Sequence, residues 1–182
     1  MNIGIVSIRY AKALYAYAKE HDAQAAVYDN MRQLKTVLRS VKELPTMLKS
    51  PSLTNSEKVN IICSAVEPSP VFEHFITLVV KQEREDMLLY IAYAYIDIYR
   101  QENKIVAMKV TTAQPMSNTF LSKFENIIKA RNDVTVVVRN VVDESIIGGF
   151  LCEANYVRYD ASIRNQLSEI RRKIVKSNKK IV

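Results

Sequence analysis

Two serines that each follow an aspartate by two positions are the closest approach to nucleophilic chemistry in this sequence. They occur in Asp143-Glu144-Ser145-Ile146 and in Asp160-Ala161-Ser162-Ile163. A catalytic serine needs a neighbouring base, usually histidine, and no histidine lies near either motif in the sequence. We therefore expect turn and helix-capping roles for both serines, and structural roles for both aspartates rather than acid–base catalysis.

The histidines and cysteines do not form a recognisable metal or redox site. His21 and His74 have no cysteine or second histidine at ligand spacing, and Cys63 and Cys152 stand alone without a Cys-x-x-Cys motif. We expect surface positions on helices for the histidines and buried, reduced thiols for the cysteines. The sequence thus predicts a protein with no catalytic residues, no metal and no cofactor.

Two of the three glycines are adjacent, at Gly148 and Gly149, directly before the apolar run that begins at Phe150. Such a pair is typical of a strand start at which two backbones approach closely or φ is positive. A phosphate-binding loop would need spaced glycines that open a helix, and only Gly4 remains elsewhere to build one. We therefore predict a structural motif made of the glycine pair and the two aspartate–serine turns.

The composition is that of an ordinary globular protein. The chain has 182 residues, of which 48% are hydrophobic and 25% are charged, and this length allows one domain or two small ones. No run of about 18 apolar residues is present to cross a membrane, and the N-terminal residues do not resemble an export signal. These features predict a cytoplasmic address.

The net charge of +7 is concentrated in the second half of the chain. Residues 1–104 contain 13 basic and 12 acidic residues, whereas residues 105–182 contain 13 and 7. The basic residues near the C-terminal end are Arg171, Arg172, Lys173, Lys176, Lys179 and Lys180. A solvated helix end explains them, because the helix dipole favours cations there. Contact with an acidic partner or an anionic membrane is an alternative, as is a nucleic-acid-binding adaptor, although no aromatic residue is interleaved with these cations.

The period of the hydrophobic pattern changes close to Asn103. Before it every segment is helical, with predicted helices over Ile3–Lys19, Ala23–Val41, Val71–Glu83 and Met87–Gln101. Another helix begins after the capping-box pattern Thr54-Asn55-Ser56-Glu57. The helix Met87–Gln101 is apolar on nearly every side, so we expect it at the centre of a helical bundle.

After Asn103 the period falls towards two, which predicts a small α/β domain. The predicted elements are a strand over Val106–Thr112, a helix carrying Phe120, Phe124, Ile127 and Ile128, a strand over Val134–Val142, a hairpin of Gly149–Ala154 and Tyr156–Tyr159, and a final helix presenting Ile163, Leu167, Ile170 and Ile174. The predicted fold class is therefore mainly α, with a helical first domain followed by a small α/β C-terminal domain.

Two helices of the first domain have more apolar surface than one neighbour can cover. At 100° per residue, apolar side chains cover about 200° of the helix that begins at Ile3 and about 200° of the helix that begins at Val71. Each helix can therefore face both a core and a partner, as in a groove that binds another helix. Enclosure of both helices inside the bundle is the alternative, and the periodicity leaves both interpretations open.

Six short motifs follow one another along almost the whole chain. They are Arg9-Tyr10-Ala11-Lys12-Ala13-Leu14-Tyr15, Leu53-Thr54-Asn55-Ser56-Glu57-Lys58, Phe75 with Arg84, Val110-Thr111-Thr112-Ala113-Gln114-Pro115-Met116-Ser117, Ile146-Ile147-Gly148-Gly149-Phe150 and Asp160-Ala161-Ser162-Ile163. In this order the chain resembles the delta subunit family of bacterial F-type ATP synthases, the relatives of the mitochondrial oligomycin-sensitivity-conferring protein. Many members have glycine where Glu83 stands before Arg84, so the turn there is expected to differ.

The resemblance implies a non-catalytic stator subunit rather than an enzyme. In that family an N-terminal six-helix bundle binds the N-terminal helices of the alpha subunits on the catalytic head, and the C-terminal domain holds the end of the membrane-anchored b subunit. It implies domains 1–104 and 105–182, a peripheral position on the cytoplasmic face of the cell membrane, and no nucleic-acid partner. The family's contacts with the alpha helix map here onto Tyr10, Ala11, Leu14, Ala18, Phe75, Leu78, Val79 and Gln82.

Overall fold

A computed structural model describes residues 3–117, 119, 121–122, 134–154 and 157–178, with the backbone alone for residues 3 and 173–178. The chain forms two compact units, Met1–Glu102 and Asn103–Val182. The first unit is helical, and the second contains a small sheet and a helix. The predicted fold class, a helical bundle followed by a small α/β domain, is confirmed.

Six α-helices are found within residues 3–102. They are α1 (Ile3–Glu20), α2 (Gln24–Ser40), α3 (Leu44–Leu48), α4 (Asn55–Ser64), α5 (Pro70–Lys81) and α6 (Leu88–Glu102), with a 3₁₀ turn at Glu85–Met87 before α6. The predicted capping box at the start of α4 is present. The Thr54 hydroxyl accepts from the Glu57 backbone N–H, and the Glu57 carboxylate accepts from the Thr54 backbone N–H at 2.8 Å. The bond from the Thr54 N–H also holds the pKa of Glu57 below its ordinary value.

The core of the first unit lies mainly where α6 packs against α1 and α2. Tyr95 is its largest fully buried side chain, and its hydroxyl donates to the Gln24 carbonyl at 3.2 Å. Burial raises the pKa of Tyr95, so this phenol stays neutral and keeps its proton to donate. The sequence predicts α6 at the centre of the bundle, and part of its surface is nevertheless exposed. Tyr90 and Tyr93 on α6 are exposed, as amphipathic rings with a polar tip can be.

The second unit is built on a four-stranded sheet of order β2-β1-β3-β4. The strands are β1 (Ile105–Thr112), β2 (Thr135–Val142), β3 (Phe150–Ala154) and β4 (Val157–Asp160), and the helix α7 spans Ile163–Asn178. Strands β1 and β2 are parallel, whereas β3 is antiparallel to both β1 and β4. Met108, Val110 and Val136 form the buried centre. The helix predicted to carry Phe120, Phe124, Ile127 and Ile128 falls on residues outside the described ranges.

The glycine pair lies where the backbone entering β3 meets the backbone entering α7. Gly149 has φ of +79°, and a Cβ built on it would overlap the Ala161 carbonyl oxygen. The Gly148 carbonyl accepts a hydrogen bond from the Ile163 N–H at 3.0 Å. A side chain at Gly149 is therefore disfavoured twice, by the backbone conformation and by the close approach.

The two aspartate–serine motifs form turns on either side of this junction. The Asp143 carboxylate accepts from the Ser145 N–H at 3.0 Å, and the Asp160 carboxylate accepts from the Ser162 N–H at 2.9 Å. Hydrogen bonds from these serines hold the pKa of each aspartate below its ordinary value. The Ser162 hydroxyl then accepts from the Asn165 N–H at 3.2 Å, as a residue that caps α7 does.

Candidate partner-binding groove

An apolar groove of about 540 Å³ lies between α1 and α5 in the first unit. Its lining residues are Val6, Arg9, Tyr10, Ala13, Leu14 and Tyr17 from α1, His74, Phe75 and Leu78 from α5, and Arg84 just beyond α5. The α1 residues recur every three or four positions, so they form one face of that helix. From Val6 to Tyr17 the face extends for roughly 16 Å, about three helical turns.

The α1 residues predicted to bind a partner divide between this groove and the core. Tyr10 and Leu14 line the groove, although Leu14 is only 2% exposed and forms part of its floor. Ala11 and Ala18 are completely buried among the other helices. Their side chains offer no surface to a partner, and the part of the prediction that placed them in direct contact does not fit this structure.

The α5 residues divide in the same way. Phe75 is 7% exposed on the groove floor, and Leu78 is 45% exposed on its wall. Val79 is completely buried and packs in the core. Gln82 caps the C-terminal end of α5 and is exposed without lining the groove. Phe75 and Leu78 therefore remain as candidate contacts, whereas Val79 supports the groove from behind.

The two ends of the groove differ in their chemistry. At one end the Arg84 guanidinium carbon lies 5.8 Å from the centre of the Tyr10 ring, within the range of a cation–π contact. At the other end the Tyr17 ring packs against both histidines of the chain, with centroid distances of 4.3 Å to His21 and 5.9 Å to His74. The groove thus runs from an arginine end to a histidine end.

Arg84 is held at its end of the groove by the way α5 terminates. The Arg84 N–H donates to the Val79 carbonyl at 3.2 Å, and the Glu83 N–H donates to the Val80 carbonyl at 3.0 Å. This pair of bonds is the Schellman arrangement, which needs a left-handed residue after the helix, and Glu83 adopts φ of +53°. The turn expected to differ therefore keeps the conformation that glycine would favour, with glutamate under strain in it.

A buried ion pair anchors the residues that follow. The Lys58 ammonium on α4 donates to the Glu85 carboxylate at 2.7 Å, and both side chains are at most 10% exposed. Because Glu85 directly follows Arg84, this contact ties the turn after α5 to α4. Charged groups removed from water need such a partner, since an isolated buried charge is costly.

Sequence reasoning missed more than half of the residues that line the groove. Those absent from the predicted set are Val6, Arg9, Ala13, Tyr17, His74 and Arg84. Hydrophobicity alone does not separate the two apolar faces of α1, which together cover a broad arc. The type of each apolar residue would have helped to separate the groove face of α1 from its core face. Tyr10 and Tyr17 are seven residues apart and suit a half-exposed edge, whereas Ala11 and Ala18, with the same spacing, suit close packing against another helix.

The histidine, cysteine and acidic side chains of the described residues do not form a metal centre. No group of three or more His, Cys, Asp or Glu side chains that could hold a metal ion is found among the described residues. Cys63 and Cys152 are free and partly buried, and burial raises the pKa of both thiols. Within the same residues, no helix has the length and apolar character that a membrane span requires.

Comparison with known proteins identifies relatives over the full length of the chain. The family model "ATP synthase delta (OSCP) subunit" matches residues 6–174. The ATP synthase subunit delta of Bacteroides fragilis is 36% identical over 186 aligned residues, and that of Phocaeicola vulgatus is 32% identical over 185, each covering 100% of both chains.

A solved structure shares the fold. A chain of the Toxoplasma gondii mitochondrial ATP synthase hexamer, determined by cryo-EM, has a TM-score of 0.70 at 18% identity, covering 93% of this chain and 97% of that chain. The family resemblance that the six sequence motifs indicated is confirmed by these matches. The chain belongs to the ATP synthase delta (OSCP) subunit family.

Proposed function

We propose that this chain is a stator subunit that links the alpha subunits of the catalytic head to the membrane-anchored b subunit and resists rotor torque during ATP synthesis. As a family member it is a non-catalytic structural subunit of an ATP synthase. The linking role is the proposed part, and the observation that carries it is the open apolar groove between α1 and α5.

The groove has the dimensions and the chemistry that suit an amphipathic helix. Its floor is formed by Leu14 and Phe75, and its walls by side chains that remain partly exposed, such as Tyr17 and Leu78. A helix laid into it would cover these side chains with anchors spaced three or four residues apart over about three turns. The N-terminal helix of an alpha subunit is the occupant that we propose.

A contact of this kind suits a static tether. Apolar burial is proportional to area and needs no chemical turnover, so a groove several turns long can hold a helix against a sideways force. The buried alanines and Val79 behind the groove walls serve this role by packing α1 and α5 rigidly against the other helices.

For the b subunit we propose the exposed face of α7 in the second unit. Ile163, Leu167 and Ile170 recur at spacings of four and three, and each is at least 42% exposed. An exposed apolar stripe at helical spacing is suited to another helix. The basic residues that follow in the sequence, beginning with Arg171 and Arg172, would favour an acidic partner segment.

This role places the chain at the periphery of the membrane, on its cytoplasmic face, through the complex rather than through lipid. Family membership supports a peripheral place in the ATP synthase. The alternative, a nucleic-acid-binding adaptor, would use the basic tail, whose side chains from Lys173 onward lie outside the described residues.

Calorimetric titration tests the proposal. The full chain is titrated with an about 20-residue peptide from the N-terminus of the alpha subunit of the same organism. Saturable binding with a negative heat-capacity change is expected, because apolar side chains are buried. Absence of binding at millimolar peptide would refute the groove as the alpha-subunit site. Leu14→Glu is unsuitable as a test variant, since Leu14 is 2% exposed and its change would disturb the fold.

The b-subunit contact is tested separately by hydrogen exchange. Amides of α7 in the full chain are compared with and without the C-terminal segment of the b subunit. Slower exchange along α7 in the complex is expected if its apolar face is covered. Equal exchange rates in α7, with binding detected by another method, would place the contact elsewhere.

A further inference from the structure

We propose that the helix occupying the α1–α5 groove carries an acidic side chain that pairs with Arg9 and Arg84 at the arginine end. This inference rests on the proposed function, because it assumes that a partner helix enters the groove. It adds a requirement on the partner, namely a carboxylate at one end of its apolar face, and it sets the register in which that helix binds.

The first observation is that two guanidinium groups line an otherwise apolar groove. Arg9 projects from α1, and Arg84 is held by the turn after α5. Among the described residues neither arginine forms a salt bridge, and the recorded side-chain contact of Arg84 is with the Tyr10 ring. Two cations on different elements therefore line the same groove.

The second observation concerns what docking would do to these cations. A helix that covers the groove removes water from its walls, and a guanidinium that loses water without gaining a partner is costly. A carboxylate offsets this cost, because the planar donors of arginine match its two oxygens. A wholly apolar helix would remove water from both arginines without offering either a hydrogen-bond partner. It would therefore bind less tightly than a helix with a carboxylate at that position.

The third observation is the asymmetry of the groove. Arg84 lies beside Tyr10, in the first half of α1, whereas Tyr17 and the ring of His74 lie towards the C-terminal end of α1. The carboxylate is therefore required at one end alone, which distinguishes a helix in the correct register from one shifted by a turn. Charge placed in this way contributes specificity more than affinity.

The experiment uses the full chain and the N-terminal alpha-subunit peptide, with each Asp and Glu of the peptide changed in turn to Asn and Gln. Chain variants are Arg84→Gln and Arg9→Gln, with Lys12→Gln as the matched control. Lys12 is an exposed cation on α1 that does not line the groove. Arg84→Lys keeps the positive charge but removes the planar guanidinium, so it separates the effect of charge from the effect of arginine geometry. Circular dichroism establishes that every variant is folded.

The expected result is a coupled loss of affinity. Arg84→Gln should weaken binding by about threefold to tenfold, as for a partly exposed ion pair that becomes desolvated. One acidic peptide position should show a similar loss, and combining it with Arg84→Gln should add little further loss. Lys12→Gln should bind within about twofold of the unmodified chain, since the Lys12 side chain does not line the groove and its exposed charge is screened by solvent and salt.

Two different failures can be told apart. If the unmodified peptide binds and both arginine variants bind as tightly as Lys12→Gln, the acidic requirement is overturned while the stator proposal stands. If no acidic position of a binding peptide is coupled to either arginine, the inference is likewise overturned. If the unmodified peptide does not bind the unmodified chain at all, the proposed function fails, and this inference fails with it.

Discussion

Replacing Lys58 with methionine would remove one partner of a buried ion pair and leave Glu85 charged within the first unit. The two groups lie 2.7 Å apart, and their side chains are 10% and 6% exposed. Removing one partner of such a pair typically costs about 3–5 kcal/mol, because the remaining charge loses its compensation. That loss is roughly a fifth or more of the stability of an ordinary domain, which is about 5–15 kcal/mol.

The double variant Lys58→Met/Glu85→Met supplies the control. Both charges are then absent, and apolar side chains of similar length occupy their places, so its stability should be within about 1 kcal/mol of the unmodified chain or higher. The difference between the single and double variants isolates the cost of the uncompensated carboxylate. It does so without assuming that the pair itself is stabilising.

Native-state hydrogen exchange of the α6 amides is the appropriate assay. The chain has two compact units, so one unfolding curve for the whole chain would not report on the first unit alone. The slowest-exchanging amides of α6 report the opening of the core in which Tyr95 is buried. A loss below about 1 kcal/mol in Lys58→Met, or an equal loss in the double variant, would refute the reasoning.

Three further predictions concern turns. Glu83→Gly should stabilise α5 by about 1 kcal/mol, measured by exchange of its amides, because glutamate is strained at φ of +53°; unchanged or faster exchange would contradict this. Gly149→Ala should destabilise the sheet by more than about 1–2 kcal/mol, seen as faster β1 exchange, because its Cβ would meet the Ala161 carbonyl. Hydrogen bonds from Ser162 lower the pKa of Asp160 in the folded chain. The contribution of Asp160 to stability is therefore complete above the ordinary pKa of 3.8, and it is lost as the pH falls through the lower pKa of the folded state. Asp160→Asn should therefore show a smaller acid-induced loss of α7 protection, and an equal loss would count against the turn's role.

The order and type of the helices could be predicted from local signals. The capping box at Thr54 and Glu57 needs only side chains three residues apart, and it is present at the start of α4. The switch from helical to strand period near Asn103 is also local, and β1 begins at Ile105. Such features depend on residues close together in the sequence, so the sequence alone contains most of the information needed to predict them.

The division of α1 and α5 into a core face and a groove face could not be predicted in the same way. Which side of α1 meets α6 depends on packing between helices distant in sequence, and Ala11 and Tyr10 are adjacent but face different surroundings. Arg84 enters the groove because a strained Glu83 reverses the chain after α5. A propensity rule would have assigned that conformation to glycine.

The most direct test of the central claim compares two variants in the titration with the alpha-subunit peptide. Leu78→Glu changes a groove residue that is 45% exposed, whereas Met47→Glu changes a side chain on α3 that is 48% exposed and does not line the groove. The account predicts that Leu78→Glu abolishes measurable binding, because a charge would be buried in an apolar contact, while Met47→Glu binds like the unmodified chain. Equal affinity of the two variants would contradict the groove as the binding site of the alpha subunit.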